Sequence, residues 1–277
     1  MKIAIQGGHA SFHDIAIHEY FDRENLEIVC CDTFKEVCEK VKHNEVEYGF
    51  MAIENSIAGS ILENYTLIQD YNHFICGEYK LRIVQNIMAL PGQKLEGLKE
   101  VRSHYMALLQ CKQFLDQYPN MVQVKSFDTA DSAKAIKSQN LKGVGAIAGK
   151  RAAELYDLEI LSESIETIKQ NYTRFLLISN ERKFLVDKDQ VNMATISFEL
   201  PNKVGALADA LRIIVDNQIN LTKIQSVPLI GKPDNYIFYL DCSWSNGANI
   251  LKCYKQLKSI LSQINIMGEY KKHDLKL

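Results

Sequence analysis

The chain opens with Lys2-Ile3-Ala4-Ile5-Gln6-Gly7-Gly8, a short apolar run that ends at two glycines. Such a run before a glycine turn predicts a β-strand, and the stretch from Phe12 to Phe21 is predicted to be a helix. Leu26 to Cys30 repeats the strand pattern, and Thr33 is the predicted cap of a second helix. Strands that alternate with helices predict an α/β fold with a largely parallel sheet and helices on both faces.

The alternation recurs further along the chain and predicts a second lobe. A strand is predicted from Tyr48 to Ile53, and a long extended stretch runs from Leu81 to Leu90, before a turn at Pro91-Gly92. A second series of strands and helices then leads to a closing strand from Tyr172 to Ile178. Two similar series predict two lobes with a cleft between them, where ligands bind beyond the carboxyl ends of the strands.

The pattern changes after a charged stretch, Asn180 to Asp189, which we interpret as a linker. From Met193 to Tyr270 the predicted order is βαββαβ, which is the ferredoxin-like arrangement. The boundary between the two parts is therefore predicted near residues 180–192. The predicted sheet-facing residues of the first helix in the C-terminal part are Val204, Leu207, Ala208, Leu211 and Val215.

Composition argues against several classes of function. The formal net charge of −2 and the lack of a basic arm argue against a nucleic-acid partner. No signal-peptide core and no membrane-spanning run occurs, so we expect a cytoplasmic protein with no membrane partner. The seven cysteines lack metal-ligand spacing and suit a reducing compartment. Four of them lie in or beside apolar runs and are predicted to be buried: Cys30, Cys76, Cys111 and Cys242.

Two polar clusters lie where predicted strands end and helices begin. The first, Gly7 to His13, supplies backbone N–H groups suited to an anion, although a strand-to-helix turn needs glycine whatever its function. The second, Glu54 to Ser60, combines an acid, an amide and two hydroxyls. Ser60 with Glu63 also fits a helix capping box, so this cluster is explained equally well by capping and by ligand binding.

A third cluster, Asn171 to Phe175, opens an otherwise apolar strand. Thr173 and Phe175 fit a strand by propensity, but Arg174 needs an anionic partner or a route to solvent. Ser103-His104 is a smaller cluster, and a single histidine is more often structural. The sequence contains no P-loop, catalytic triad order, metal cluster or cofactor fingerprint. A two-lobed anion-binding domain with a ferredoxin-like domain fits a solute sensor as well as an enzyme.

These motifs resemble those of the prephenate dehydratase family over nearly the whole chain. The family's motifs stand here as Glu54-Asn55-Ser56, Gly59-Ser60, Ser103-His104, Ala107-Leu108, Gln110-Cys111, Asp128-Thr129-Ala130 and Thr173-Arg174-Phe175 preceded by Asn171. The resemblance implies a two-lobed catalytic domain of the type 2 periplasmic-binding-protein class over residues 1–180, with its second lobe at roughly 80–170. It also implies an α+β ACT domain over residues 192–277, where an amino acid regulates the enzyme.

The function implied by the resemblance is decarboxylative dehydration of prephenate to phenylpyruvate, by a carbon–oxygen lyase that needs no cofactor and no metal. The implied catalytic residues are Thr173, Arg174 and Phe175. The implied substrate-binding residues are Ser11, Glu54, Asn55, Ser56, Gly59, Ser60, Ser103, His104 and Asn171. L-Phenylalanine is the implied effector, in a homodimer or homotetramer, and its implied contacts are Asn202, Gly205, Ala206, Leu207, Gln225 and Ser226.

The sequence departs from the family pattern in two places. The opening Gly-Pro-Glu-Gly-Thr-Phe-Ser is replaced by residues 7–13, which keep a hydroxyl at Ser11 but lose the proline and the acid. The regulatory Glu-Ser-Arg-Pro is Gln225-Ser226-Val227-Pro228, and Val is replaced by Ala208 in Gly-Ala-Leu-Val, so phenylalanine feedback is expected to be weakened or altered. Arogenate dehydratase and a non-catalytic amino-acid sensor remain alternatives. A strand beginning at Lys2 gives no sign of a fused chorismate mutase.

Overall fold

The computed structural model describes residues 1–22, 25–200, 203–229, 231, 235–245, 248–261 and 263–275. It divides into two compact units, the first formed by Met1–Ile61 and Tyr79–Phe175 and the second by Leu62–Glu78 and Leu176–Leu277. The second unit thus includes a segment from the first half of the chain. The units differ in this respect from the two contiguous domains predicted from the sequence, whose boundary stays a prediction.

The first lobe of the first unit is built on parallel strands. The elements up to residue 60 are β1 (Lys2–Gln6), α1 (Phe12–Phe21), β2 (Glu27–Cys31), α2 (Phe34–Lys42), β3 (Tyr48–Asn55) and β4 (Gly59–Ser60). They are followed by α3 (Leu62–Asp70), which belongs to the second unit, and by β5 (Phe74–Arg82), which begins in the second unit and ends in the first. β1 pairs in parallel with β2 on one side and with β3 on the other. Ile3, Ala4 and Ile5 are fully buried, and Thr33 caps α2 as predicted, by accepting the Glu36 N–H at 3.1 Å.

The second lobe has its own five-stranded sheet, in the order β10-β6-β9-β7-β8. Its elements and the strand that closes the unit are β6 (Asn86–Ala89), β7 (Glu100–His104), α4 (Tyr105–Gln110), α5 (Lys112–Leu115), β8 (Val122–Ser126), α6 (Thr129–Ser138), β9 (Val144–Ala148), α7 (Lys150–Leu155), β10 (Glu159–Ser162) and β11 (Tyr172–Ser179). The sequence did not predict β10. Helices α4 and α5 are separated at Cys111, whose backbone leaves the helical region at φ −98° and ψ 11°.

The C-terminal part has the predicted βαββαβ order. Its elements are β12 (Met193–Leu200), α8 (Ala206–Asp216), β13 (Asn220–Pro228), β14 (Tyr236–Ser243), α9 (Ala248–Ile260) and β15 (Gln263–Tyr270). The strands are antiparallel in the order β13-β14-β12-β15. Ile196, Phe198, Leu240 and Leu257 are among the buried residues of the core.

The buried face of α8 differs from the predicted one. Ala210 and Ile214 are buried, and Leu207 and Leu211 pack against the same core as predicted. The prediction is wrong for Ala208, which is exposed, and for Val204 and Val215, which are 100% and 61% exposed. The helix begins only at Ala206, and positions 207, 210 and 214 form a stripe at a spacing of three to four residues. Val204 therefore precedes the helix, and Val215 lies about one residue step, roughly 100°, away from the stripe.

Residues 62–78 join the C-terminal sheet through strand pairing and a hydrogen bond. Gly268 of β15 lies opposite Ile75 of β5 in a parallel pairing, and Ser197 donates to Gln69 Oε1 at 2.9 Å. A Cβ atom at position 268 would lie 2.1 Å from the Ile75 carbonyl oxygen. Glycine is therefore required where these two backbones approach.

A buried carboxylate adds a second attachment within this unit. Asp241 is fully buried; it accepts hydrogen bonds from the Thr195 hydroxyl at 2.7 Å and from the Tyr65 hydroxyl of α3 at 3.3 Å. Thr195 also shares a 2.7 Å hydrogen bond with the Tyr270 hydroxyl. Because removing one partner would leave buried polar atoms unsatisfied, this network fixes α3 on the sheet.

Candidate functional site

The second and third polar clusters meet at one cavity of about 270 Å³ in the first unit. Eight residues line it: Glu54, Asn55, Ser56, Gly59, Ser60, Lys80, Tyr172 and Arg174. β3 ends at Glu54 and Asn55, and the chain returns as β4, with Glu54 opposite Ser60 and Asn55 opposite Gly59. The cavity therefore lies at the carboxyl end of β3, the edge where ligands of α/β sheets bind.

The capping-box interpretation of Ser60 is wrong, because Ser60 belongs to β4 and α3 begins only at Leu62. The tight return that places it there passes through Gly59, whose φ of +86° lies in the left-handed region that glycine adopts without strain. The Ile61 N–H then bonds to the Ile53 carbonyl at 2.8 Å. Ser60 consequently faces the cavity instead of starting the helix.

Asn55 connects the two clusters through its side-chain amide. Its Nδ2 lies 2.7 Å from Asn171 Oδ1 and 3.0 Å from Thr173 Oγ1. Its Oδ1 accepts the N–H groups of Ile57 and Ala58 at 3.0 and 2.9 Å. With both ends of the amide engaged, Asn55 has a fixed orientation and donates to the Thr173 hydroxyl.

Arg174 supplies a buried positive charge to the cavity. It is 4% exposed, and its Nη1 lies 4.0 Å from Glu54 Oε1. Successive side chains of a strand point to opposite faces, so Tyr172 and Arg174 face the cavity. Thr173 is not among the lining residues, and its hydroxyl contacts the lining residue Asn55. A guanidinium in this position, beside a carboxylate and a cavity, suits the recognition of an anionic ligand.

Phe175 lies in the core and not in the cavity wall. It is 1% exposed, stacks on Phe50 with ring centroids 5.1 Å apart, and meets the edge of His13 at 5.0 Å. His13 Nε2 accepts the Ala52 N–H at 3.2 Å, and burial lowers the pKa of His13 to about 3. This neutral histidine and Phe175 form part of the packing that positions the start of β11.

Three further predicted site residues make structural hydrogen bonds and do not line the cavity. Ser11 is buried, and its hydroxyl caps α1 by accepting an N–H at 3.3 Å. Ser103 is fully buried and donates to the Ile147 carbonyl at 2.6 Å. His104 caps α4 through its Nδ1, which accepts an N–H at 3.3 Å.

The predicted site residues did not include Lys80, Tyr172 or Gln110, although Tyr172 lies in the third cluster and Gln110 in one of the family motifs. Lys80 lines the cavity from β5, just before the extended stretch that was predicted to begin at Leu81. The signal that identifies it is a lysine inside a strand whose next residue is buried. Gln110 Oε1 accepts the Asn171 Nδ2 at 3.0 Å and extends the amide chain that starts at Asn55.

The glycine turn after β1 meets the start of α6 within the first unit. A Cβ atom on Gly7 would lie 3.2 Å from Asp128 Oδ2. Asp128 caps α6 by accepting the N–H groups of Ala130 and Asp131 at 2.7 and 3.2 Å. Burial raises the pKa of Asp128 above its usual range, although these N–H groups act in the opposite direction. The two lobes therefore meet where β1 ends and α6 begins.

The predicted effector residues lie at the start of α8 and on β13. Gly205 has a φ of +87° directly before the helix, Ala206 is its first residue, and Leu207 packs against the core. Gln225 Nε2 donates to the carbonyl of Ser226 at 3.2 Å. Asn202 lies outside the described residues. The Gln225 amide is thus engaged with the neighbouring backbone.

The thiols have the character of buried apolar side chains. Cys31, Cys38, Cys76 and Cys111 are buried, and desolvation raises the pKa of each to about 12. The prediction of burial is wrong for Cys30, which is exposed. Across the described ranges, no group of histidine, cysteine, aspartate and glutamate side chains has a metal-binding arrangement.

Comparisons with known families and curated proteins match the whole organisation of the chain. The family model for prephenate dehydratase matches residues 3–183, and the model for the ACT domain matches residues 194–242. A curated relative, arogenate dehydratase/prephenate dehydratase 2 of Arabidopsis thaliana, is 32% identical over 98% of this chain and 72% of its own length. Within the part of the chain that the structure describes, no helix is long and apolar enough to span a membrane.

Two solved structures cover nearly the same length. GqqA, titled a novel type of quorum quenching acylase, has a TM-score of 0.89 at 27% identity, over 99% of this chain and 98% of its own. The prephenate dehydratase of Arthrobacter aurescens in complex with L-Phe has a TM-score of 0.84 at 23% identity, over 98% of this chain and 90% of its own. At 23% identity, the second likeness concerns the fold.

Proposed function

The chain belongs to the prephenate dehydratase family and carries an ACT domain, and we propose that it converts prephenate to phenylpyruvate, CO2 and water as a carbon–oxygen lyase. The observation that carries this proposal is Asn55, which lines the same cavity as the buried Arg174 and donates to the Thr173 hydroxyl at 3.0 Å. An anion-binding guanidinium and a positioned hydroxyl are the groups that this reaction requires.

The reaction is driven by formation of an aromatic ring. The ring carboxylate leaves as CO2, its bonding electrons move into the ring, and the hydroxyl on the opposite ring carbon leaves with a proton as water. The chain's own residues must bind a substrate with two carboxylates, exclude water and assist the departure of hydroxide. A positioned hydrogen-bond donor or acid at the leaving oxygen contributes about 10²–10⁴-fold.

Thr173 is our candidate for the donor at the leaving hydroxyl. A threonine hydroxyl has one O–H to donate and two lone pairs that accept. Asn55 Nδ2 uses an acceptor position of Thr173 at 3.0 Å, and this directs the O–H away from the amide. The threonine therefore hydrogen-bonds to the leaving group or relays a proton, since its own acidity is too weak for it to act alone.

Arg174 is our candidate for the ligand of a substrate carboxylate. Its planar guanidinium offers paired donors that a carboxylate accepts in a bidentate manner. Burial keeps water away from these donors, and Glu54 at 4.0 Å limits the cost of the buried charge. Ser56 and Ser60 line the same cavity and supply hydroxyls for the remaining oxygens. Phe175 acts from the core, by packing behind the strand.

The test is phenylpyruvate formation from prephenate at mildly alkaline pH, where the substrate survives, by the native protein, Thr173→Ala and Thr173→Ser. We expect Thr173→Ala to lower kcat by about 10²–10⁴-fold with little change in KM. Thr173→Ser keeps the hydroxyl and is expected to retain most of the activity. Turnover by Thr173→Ala at the native rate would contradict the assignment, and no turnover by the native protein would contradict the function.

Arogenate dehydration is the second candidate function, favoured by the 32% identity to a relative whose name carries both activities. Arogenate has an ammonium group where prephenate has a keto group, and the chemistry on the ring is the same. Competition between the two substrates in one reaction mixture, with the products separated, gives the ratio of kcat/KM directly. A higher kcat/KM for arogenate would replace the first proposal by the second.

An acylase function receives less support from the geometry, despite the likeness to GqqA. Hydrolysis of an acyl bond needs a nucleophile activated by a base or by a lowered pKa. His13 uses Nε2 as the acceptor of the Ala52 N–H, and the pKa shifts described above for four thiols are all upward. An N-acyl amide included in the assays provides the check, with no hydrolysis expected.

We further propose that the ACT domain binds an amino acid and that the chain works as a homodimer or homotetramer in the cytoplasm. Support for the first comes from the ACT match and from the L-Phe complex of the Arthrobacter aurescens protein. Oligomeric state is measured by sedimentation of the native protein with and without L-phenylalanine. A monomer under both conditions would contradict the second.

A further inference from the structure

We propose that Glu166 is a positioning residue for the reaction, because it fixes the chain segment that carries Asn171 and thereby orients the hydroxyl of Thr173. This inference rests on the proposed function and deepens it. Glu166 is not among the eight residues that line the cavity. Its effect on the chemistry would therefore pass through the residues that it holds in place.

Glu166 lies where the chain crosses between the two lobes. Residues 83–85 lead from β5 to β6, and residues 163–171 return from β10 to β11. The strands at the ends of these crossings are neighbours, since β5 lies beside β11 in one sheet and β6 beside β10 in the other. The two crossings therefore run side by side and determine where β11 begins.

Backbone hydrogen bonds join the two crossings at both ends. The Ile83 N–H donates to the Asn171 carbonyl at 2.7 Å, and the Ile165 N–H donates to the Gln85 carbonyl at 2.8 Å. Asn171 and Gln85 are buried, so water does not compete for these bonds. The position of Asn171 thus depends on how the second crossing sits on the first.

The side chain of Glu166 completes this connection from the interior. The carboxylate is fully buried; its Oε2 accepts the Gln85 N–H at 2.9 Å, and its Oε1 accepts the Ser164 hydroxyl at 2.8 Å. Arg82 Nη2 and Lys169 Nζ lie 3.5 and 3.7 Å from Oε1, so the buried charge is paired. Loss of the carboxylate would leave the buried Gln85 N–H unsatisfied, and the crossings would have to shift to satisfy it.

A shift of the second crossing reaches Thr173 through two amides. Asn171 Oδ1 accepts Asn55 Nδ2 at 2.7 Å, and the same Nδ2 donates to the Thr173 hydroxyl at 3.0 Å. A displaced Asn171 would therefore move the amide on which the direction of the Thr173 O–H depends. Because reacting groups must be closely aligned, a displacement of ~1 Å can lower a rate by about 10²-fold.

The experiment is a double-mutant cycle on kcat for the preferred substrate, with Glu166→Met, Thr173→Ala and the double variant of the full-length protein. Methionine has a similar length and offers no carboxylate. We expect Glu166→Met to lower kcat by about 10- to 100-fold, with a smaller change in KM. In the Thr173→Ala background the same change is expected to alter kcat by less than about twofold, because the hydroxyl that it positions is gone.

Two further variants separate the hydrogen bonds of Glu166 from its mere presence. Glu166→Gln keeps an acceptor for the Gln85 N–H and a donor for the Ser164 hydroxyl, so it is expected to retain most of the native kcat. Glu166→Asp keeps the charge but shortens the reach of the carboxylate. If circular dichroism shows that Glu166→Met is unfolded, Glu166→Asp takes its place in the cycle, with the same coupling to Thr173 expected.

Glu78→Met is the matched control, because Glu78 is also buried and accepts a backbone N–H, that of His273 at 2.9 Å. Any change that it makes in kcat is expected to be equal in the native and Thr173→Ala backgrounds. If the Glu166 variant has the native kcat, or loses equally in both backgrounds, the inference is overturned and the proposed function stands. If the native protein turns over neither prephenate nor arogenate, the proposed function is overturned and the inference falls with it.

Discussion

The cavity of the first unit and the predicted effector segment of the second (here Gln225 to Pro228 of β13) differ in the contacts that hold their side chains in place. At the cavity, one amide of Asn55 contacts Asn171 and Thr173 from distant parts of the chain. In the effector segment, Gln225 donates to the carbonyl of its own neighbour, Ser226. The first arrangement is built by tertiary contacts around a ligand-sized space, and the second is a local contact along an edge strand.

The two regions also differ in how closely their sequences follow the family motifs. Glu54-Asn55-Ser56 and Thr173-Arg174-Phe175 match the family pattern, whereas Val227 stands where the regulatory motif has arginine. Charged groups held by partners are costly to lose once buried, and the cavity retains Arg174 together with Glu54. We therefore expect substitutions to act strongly at the cavity and weakly in the effector segment.

The strongest test of this contrast after Thr173 is Arg174→Lys. Lysine keeps the charge but lacks the planar fork that binds a carboxylate through two donors. Because a hydrogen bond to a charged group contributes about 1.5–3 kcal/mol, KM for prephenate is expected to rise by about 10- to 100-fold with little change in kcat. Steady-state kinetics measure both constants.

Arg102→Lys is the control for that change, since Arg102 lies on β7, contacts Glu100 and does not line the cavity. It is expected to leave KM unchanged. If Arg174→Lys had the native KM, the cavity would not require the two donors of arginine. The expected difference between the cavity and the effector segment would then be contradicted.

An intermediate effect is expected from Gly268→Ala, which tests the attachment of residues 62–78 to the C-terminal sheet. The new Cβ would lie 2.1 Å from the Ile75 carbonyl oxygen, so the two strands must separate. Such overpacking typically lowers the free energy of unfolding by about 1–3 kcal/mol. The free energy of unfolding is measured by urea denaturation monitored by circular dichroism.

Gly97→Ala is the matched control, because a Cβ at Gly97 meets no atom within 4 Å. Its free energy of unfolding is expected to stay close to the native value. Equal stability of Gly268→Ala and Gly97→Ala would show that β15 and β5 tolerate separation, contrary to the pairing described here.

The smallest effect is expected when the effector motif is restored by Gln225→Glu combined with Val227→Arg. The pair reintroduces a carboxylate and a guanidinium, whose charges complement the ammonium and carboxylate groups of an amino acid. Affinity for L-phenylalanine is expected to increase about tenfold, or ~1.4 kcal/mol, as measured by isothermal titration calorimetry. Gln225→Glu alone is the control, and an equal gain from it would make the arginine unnecessary.

Much of the architecture is predictable because it follows from local patterns. Apolar runs ended by glycine identify β1, and the change to βαββαβ order identifies the C-terminal part, since strand and helix periods are properties of short windows. The motifs also predict most of the cavity: Glu54, Asn55, Ser56, Gly59, Ser60 and Arg174 all line it.

The remaining features depend on contacts between residues far apart in sequence. Phe175 packs on Phe50 and His13, and the sequence alone does not predict whether its ring faces the core or the cavity. Ser60 fits a capping box in sequence, but pairing of β4 with β3 delays the helix to Leu62. Lys80 is recognised as a cavity residue only from the structure, in which it and Arg174 line the same cavity. Tertiary pairing overrides or completes the local signal in each case.

The attachment of residues 62–78 also limits how this protein can be cut or recombined. A fragment that ends at residue 180 would keep Tyr65 and Ile75 but lose their partners Asp241 and Gly268. The buried tyrosine and an unpaired strand edge would then face solvent, which favours aggregation. A chimera that exchanges the C-terminal domain with that of a relative should therefore carry residues 62–78 from the same parent, because these two stretches form one compact unit.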